Sequence, residues 1–136
     1  MRDANLIFGI ISAKASASTV TFAPDIVRVT AEGKAGHAGN VPDITVAFSP
    51  KKDFASADSM TPVIYHSDTE GGTYTECARG MAVLAPKAAQ TVTLAIPKSH
   101  KAYLKAGFIP TSTGTFAASD VEAWIGLGEH DQALGD

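Results

Sequence analysis

The residues best suited to bind a metal or move a proton are four histidines, His37, His66, His100 and His130, and they stand far apart in the chain. No pair has the i, i+2 or i, i+4 spacing that sets two imidazoles on one side of a strand or helix. No metal site is expected, and no other cofactor. His66, Ser67 and Asp68 are the residue types of a hydrolase triad, but neighbours on a strand point to alternate faces and cannot pass a proton along. They read instead as a strand end entering a turn. Gly33, Gly36 and Gly39 suggest a phosphate loop, yet the run lacks the Lys-Ser/Thr ending and a following helix whose N-terminus would face the phosphate. Asp3, Asp25, Asp43, Asp53, Asp58 and Asp68 are not grouped as in a calcium loop.

Aromatic residues raise a different chemistry, sugar stacking, because Tyr65, Tyr74, Tyr103 and Trp124 would suit a platform on a sheet face. Their positions within strand patterns assign them instead to the core or to packing between subunits. Cys77 is the single cysteine, so no intrachain disulfide forms, and a half-buried apolar role is expected. These residues give no catalytic constellation, and the chain is expected not to be an enzyme.

The elements that would position these residues are strands. Period-two alternation recurs between turn residues, and no window carries a sustained helical stripe. The expected strands are Thr19 to Phe22, Ile26 to Thr30, Asp43 to Phe48, Thr61 to His66, Thr73 to Cys77, Met81 to Leu84, Thr91 to Ile96, Ala102 to Ile109 and Val121 to Leu127. Asp68 to Gly72 supplies the flexible backbone of a hairpin between two of them. Val92, Leu94 and Ile96 alternate with Thr91, Thr93 and Ala95, as in a strand buried on one face, and Pro97 ends it. The one plausible helical turn lies around Ser56 to Met60, where Ser and Asp offer caps, but it is too short for an independent helix and reads as a loop decoration.

Short strands at near-regular spacing, punctuated by Gly and Pro, match an all-β, single-domain antiparallel β-sandwich, jelly-roll-like, of eight or nine strands. A chain of 136 residues fits one such domain and buries enough surface to fold without a disulfide or metal. Domain 1-136 is expected to carry an N-terminal docking arm (1-18) and a flexible C-terminal tail (129-136). Leu6 to Ile11 is the longest apolar run, too short for a membrane span or a signal-peptide core. Synthesis and residence in the cytoplasm are therefore expected.

Eleven Lys plus Arg against fourteen Asp plus Glu leave a formal charge of -3 with no block of one sign, which disfavours a nucleic-acid surface. Only 18 % of residues are charged, below the roughly 25 % of an ordinary soluble domain. Such a low-charge surface suits cover by other protein, so a homo-oligomer is expected.

The opening Met1-Arg2-Asp3-Ala4-Asn5-Leu6-Ile7-Phe8 resembles the start of tailed-bacteriophage capsid decoration (cement) proteins. Val63-Ile64-Tyr65-His66-Ser67-Asp68-Thr69-Glu70-Gly71-Gly72-Thr73-Tyr74 resembles that family's strand-turn-strand segment. Gly114-Thr115-Phe116-Ala117-Ala118-Ser119-Asp120-Val121-Glu122-Ala123-Trp124 resembles its closing segment. Ile96-Pro97 and Tyr103-Leu104-Lys105 resemble its approach to a late strand. The chain departs from the pattern around Ile10 to Ser18 and from Gly33 to Gly39.

The resemblance implies a jelly-roll protein on the outer surface of the capsid, made in the host cytoplasm. Its implied partners are the major capsid protein and itself, as homodimer or homotrimer, with no nucleic acid and no membrane. The contact candidates are Leu6, Ile7 and Phe8 in the apolar N-terminal run, and Lys34 and His37 in the glycine-rich loop from Ala31 to Asn40. A carbohydrate-binding β-sandwich is the alternative, and a hydrolase assembled from distant strands ranks last.

Overall fold

The computed structural model describes residues 7–15, 19–29, 44–88, 90–97, 99–117 and 119–126. Within them are ten strands: β1 (Ile7–Ala13), β2 (Thr21–Phe22), β3 (Val27–Arg28), β4 (Thr45–Pro50), β5 (Asp58–Ser67), β6 (Thr75–Arg79), β7 (Val83–Leu84), β8 (Val92–Ala95), β9 (Tyr103–Ser112) and β10 (Ser119–Gly126). Sheet A runs β1-β10-β4-β8. Sheet B runs β2-β9-β5-β6, with β3 also on β9 and β7 also on β5. Every pairing is antiparallel.

Counting β2 with β3 and β6 with β7 leaves eight strand positions, and the chain moves between the two sheets at nearly every step. That is the strand order of a jelly roll, and the all-β sandwich expected from the sequence is the fold. Each of the nine expected strands has a counterpart among the ten.

The core lies between the sheets. Val121, Ala123 and Ile125 of β10, Val46 and Phe48 of β4, and Phe8 and Ile11 of β1 face Met60 and Ile64 of β5 and Leu104, Ala106 and Phe108 of β9. Alternation carries this packing, because every second residue of a strand points to the same face. Burying one such Phe, Leu or Ile side chain contributes roughly 1.5–3 kcal/mol. The longest ladder, β5 on β9, runs from Asp58 opposite Ser112 to Ser67 opposite Tyr103.

Pro62 explains why the strand beyond β5 is split. Its carbonyl accepts the Gly80 N–H at 2.9 Å, but proline has no N–H to return on that side. The ladder breaks there, with β6 ending at Arg79 and β7 resuming at Val83.

Three expectations are corrected by the fold. The N-terminal arm is not an arm over residues 7–13, which form β1 and pair with β10 in sheet A. β1 has no partner nearby in sequence, and its register shifts between Ile7 and Gly9, so alternation is broken where a strand signal would be read. Gly9 has φ +106, and a Cβ there would lie 2.9 Å from Pro24 Cγ. The second correction concerns Ser56 to Met60, where a turn at Ser56 and Ala57 leads straight into β5 at Asp58. The Asp58 carboxylate is buried in tertiary contact instead of capping a helix. The third is Phe8, taken up below. The glycine-rich loop from Ala31 to Asn40 and the tail 129-136 lie outside the described residues.

Candidate interaction surface

Phe8, expected as a capsid or intersubunit contact, is fully buried in the core of its own domain. The bulge beside it turns Phe8 inward while Ile7, in register with Trp124, remains partly exposed at the start of β1. Leu6, Lys34 and His37 lie outside the described residues. Further along β1, Ile10 is 45 % exposed, on the opposite face of the strand from Ile11.

His66, Ser67 and Asp68 form no relay. Ser67 Oγ accepts the Thr69 N–H at 3.3 Å. His66 Nδ1 accepts the Lys101 N–H at 3.1 Å, and Asp68 Oδ2 lies 3.5 Å from Lys101 Nζ. His100 Nδ1 meets the Lys101 carbonyl, which only accepts, so that ring nitrogen carries the proton. Two imidazoles thus hold the backbone of Lys101 at the entry to β9, His66 as acceptor and His100 as donor. Desolvation lowers the His66 pKa, as do the nearby Lys101 and His100 charges, against an opposing pull from Asp68. Among the described residues, no group of three or more His, Cys, Asp or Glu side chains is placed to hold a metal ion.

The tyrosines do not go to the core. Tyr65 on β5 is opposite Lys105 on β9, Ser67 is opposite Tyr103, and Tyr103 is opposite Arg28 on β3. These residues share the face of sheet B that points away from Ile64, Ala106 and Leu104, and so away from the core. Phe22 on β2 joins them opposite Gly107, meeting the Tyr65 ring edge to face at a centroid distance of 5.0 Å. Tyr74, just before β6, completes the group. Its hydroxyl donates to the Glu70 carbonyl at 2.8 Å, and burial pushes its pKa up, helped by the charges of Glu70 and Tyr103.

Two cations are set into this aromatic face. Lys105 Nζ lies 4.4 Å from the Tyr74 ring centroid and 5.3 Å from that of Phe22. The Arg28 guanidinium lies 5.8 Å from the Tyr103 centroid. Such contacts hold a cation in place without neutralising it. Trp124, the fourth residue of the expected set, is elsewhere: it belongs to β10 in sheet A and is only 5 % exposed.

Of the two roles expected for these tyrosines, the core is excluded and packing between subunits is the one their outward face leaves open. Period two shows that a strand has two unlike faces, but aromatic residues are apolar enough to be read as the inner one. The signal that distinguishes them is the partner across the ladder, since Tyr65 faces Lys105 and Tyr103 faces Arg28.

A second exposed feature lies at the β6-β7 edge of the same sheet. Met81 is 87 % exposed and Leu84 67 % exposed, two large apolar side chains three residues apart. Ala85, immediately after, has φ 47, a left-handed conformation uncommon for a residue with a Cβ. Its N–H donates to the Asp58 carbonyl at 2.7 Å, which fixes the chain as it leaves β7.

The site is therefore a surface: an outward aromatic face with two cations beside its rings, with the apolar Met81 and Leu84 at the other end of β5 in the same sheet. Comparison with known proteins assigns this chain to no family: no family model matches it, and no curated protein matches it.

Proposed function

We propose that this chain is a decoration, or cement, protein of a tailed-bacteriophage capsid. It binds the outside of the shell as a homodimer or homotrimer and clamps adjacent major capsid subunits. Jelly rolls serve both capsid proteins and lectins, so the fold alone does not choose between these roles. The observation that carries the reading is where the cement-like residue blocks fall in this fold. Val63 to Tyr74 spans the second half of β5 and the turn toward β6, in sheet B, while Ser119 to Trp124 lies in β10 of sheet A. These blocks fall on β5 and β10, each an interior strand of its sheet.

The surface chemistry supports the same reading. Tyr, Phe, Met and Arg are enriched at protein interfaces, and Phe22, Tyr65, Tyr103, Arg28, Met81 and Leu84 present that chemistry outward. Modest affinity at each contact suffices, because an oligomer touching several capsid subunits gains effective concentration.

The tyrosines give a specific reason to weigh carbohydrate binding as the second reading. Against it, Lys105 lies against Tyr74 and Phe22, and Phe22 meets Tyr65, which takes up part of the ring surface on which a sugar would stack. Stacking of a sugar needs an uncovered ring face. Co-sedimentation with shells of the phage that carries the gene, alongside a glycan array, separates the two. Saturable binding to shells with no glycan bound supports the cement reading. Glycan binding without shell binding replaces it.

A further inference from the structure

We infer that the outer face of sheet B, built from Phe22, Arg28, Tyr65, Tyr74, Tyr103 and Lys105, is the docking site for an acidic segment of a protein partner. The partner's being a shell subunit rests on the cement reading. The chemistry of the face does not, and it can be tested separately.

The argument is one of charge complementarity. Around this face Lys101 is paired with Asp68, and Arg79 with Glu76 at 2.8 Å. Arg28 and Lys105 make no ion pair among the described residues; each has aromatic rings as neighbours. With Glu70 counted against Arg28 and Lys105, two cations and one carboxylate leave the face one net positive charge, on a chain whose formal total is -3. A cation beside a ring keeps its full charge, and Lys105, half-buried between Tyr74 and Phe22, is already partly desolvated. A carboxylate arriving there meets a preorganised ammonium or guanidinium, and the surrounding rings cover the apolar part of its side chain. Arg28 and Lys105 flank Tyr103 on adjacent strands, which suits an extended segment bearing spaced carboxylates.

The test uses the full chain, isotope-labelled, with three probes: a glutamate-rich peptide, its glutamine counterpart and alginate. The glutamate peptide is expected to shift the tyrosine ring and Lys105 side-chain resonances of this face, and the glutamine peptide to leave them unchanged. R28E/K105E is expected to weaken peptide binding on the order of tenfold or more. K105Q, which keeps most of the stem against the rings, is expected to weaken it less, with an unchanged melting temperature as proof of folding. No shift at these residues, equal binding of the glutamine peptide, undiminished binding by a folded variant, or tighter binding of alginate at this face overturns the inference. Failure of the cement reading shows differently, as loss of shell co-sedimentation by the wild-type chain while the glutamate peptide still binds.

Discussion

Asp58 and Ala117, far apart in sequence, are joined where β5 begins: Asp58 Oδ2 accepts the Ala117 backbone N–H at 3.0 Å, and Asp58 is fully buried. Around this bond three more join the same end of the sandwich. Thr113 N–H donates to the Ala57 carbonyl, Ala85 N–H to the Asp58 carbonyl, and Phe54 N–H to the Pro86 carbonyl. Phe54 packs against Phe108 and Phe116 beneath them. One carboxylate thus fastens the β9-β10 connection to the start of β5.

Replacing Asp58 with Ala removes the acceptor of the part-buried Ala117 N–H bond together with a fully buried side chain, and the loss is expected to be about 1–3 kcal/mol. D58N keeps an oxygen for that bond and is expected to lose less. Urea unfolding of both variants checks the order. Equal losses would show that the hydrogen bond is not what Asp58 supplies.

His66 gives a pH dependence whose sign is fixed. Its folded pKa is lowered from the ordinary 6.5, so the unfolded chain takes up a proton first as the pH falls. Stability from this residue is therefore complete above about 6.5 and declines as the pH drops toward the lowered folded value. Protonation also removes the acceptor that Nδ1 offers to Lys101. Melting temperatures of wild type and H66Q across this range are expected to converge at low pH. A constant difference between them would contradict the linkage.

Gly107 is required by a close approach. A Cβ at this position would lie 2.4 Å from the Thr21 carbonyl oxygen and 2.6 Å from Val20 Cγ1, so the backbone of β2 must move. G107A is expected to cost about 1–3 kcal/mol and to release β2 from β9, which hydrogen exchange at Ala23, whose N–H donates to the Ala106 carbonyl at 2.8 Å, would report. Val63, opposite Gly107, is itself fully buried.

Met81 and Leu84 are expected to belong to the contact between copies. M81S/L84S removes exposed side chains, so stability should change by under about 0.5 kcal/mol. Light scattering should show the oligomer mass falling toward that of one chain. A wild type that is already monomeric at micromolar concentration, or a variant of unchanged mass, would remove this edge from the account.

Much of the fold was legible in the sequence because its signals are local. The alternation of Val92 and Leu94 with Thr93 and Ala95 is the burial pattern of β8, and Asp68 to Gly72 is the turn between β5 and β6. β1 was missed because its evidence is a partner at the far end of the chain, β10, and because Gly9 interrupts the pattern. Asp58 was misread because a capping residue and a buried tertiary acceptor look alike until Ala117 is brought beside it. The candidate surface was the least legible part. Tyr65, Tyr74 and Tyr103 were noticed as residues able to act together, but their face is decided by cross-strand neighbours, and Arg28 and Lys105 gained meaning only from the rings beside them.

The central claim is mechanical, and the temperature at which DNA-filled shells rupture tests it most directly. Shells lacking the protein, titrated with the purified chain, are expected to rupture at progressively higher temperature until every site is filled and then to change no further. Shells that bind the chain to saturation yet rupture at the same temperature as bare ones would contradict a cementing role.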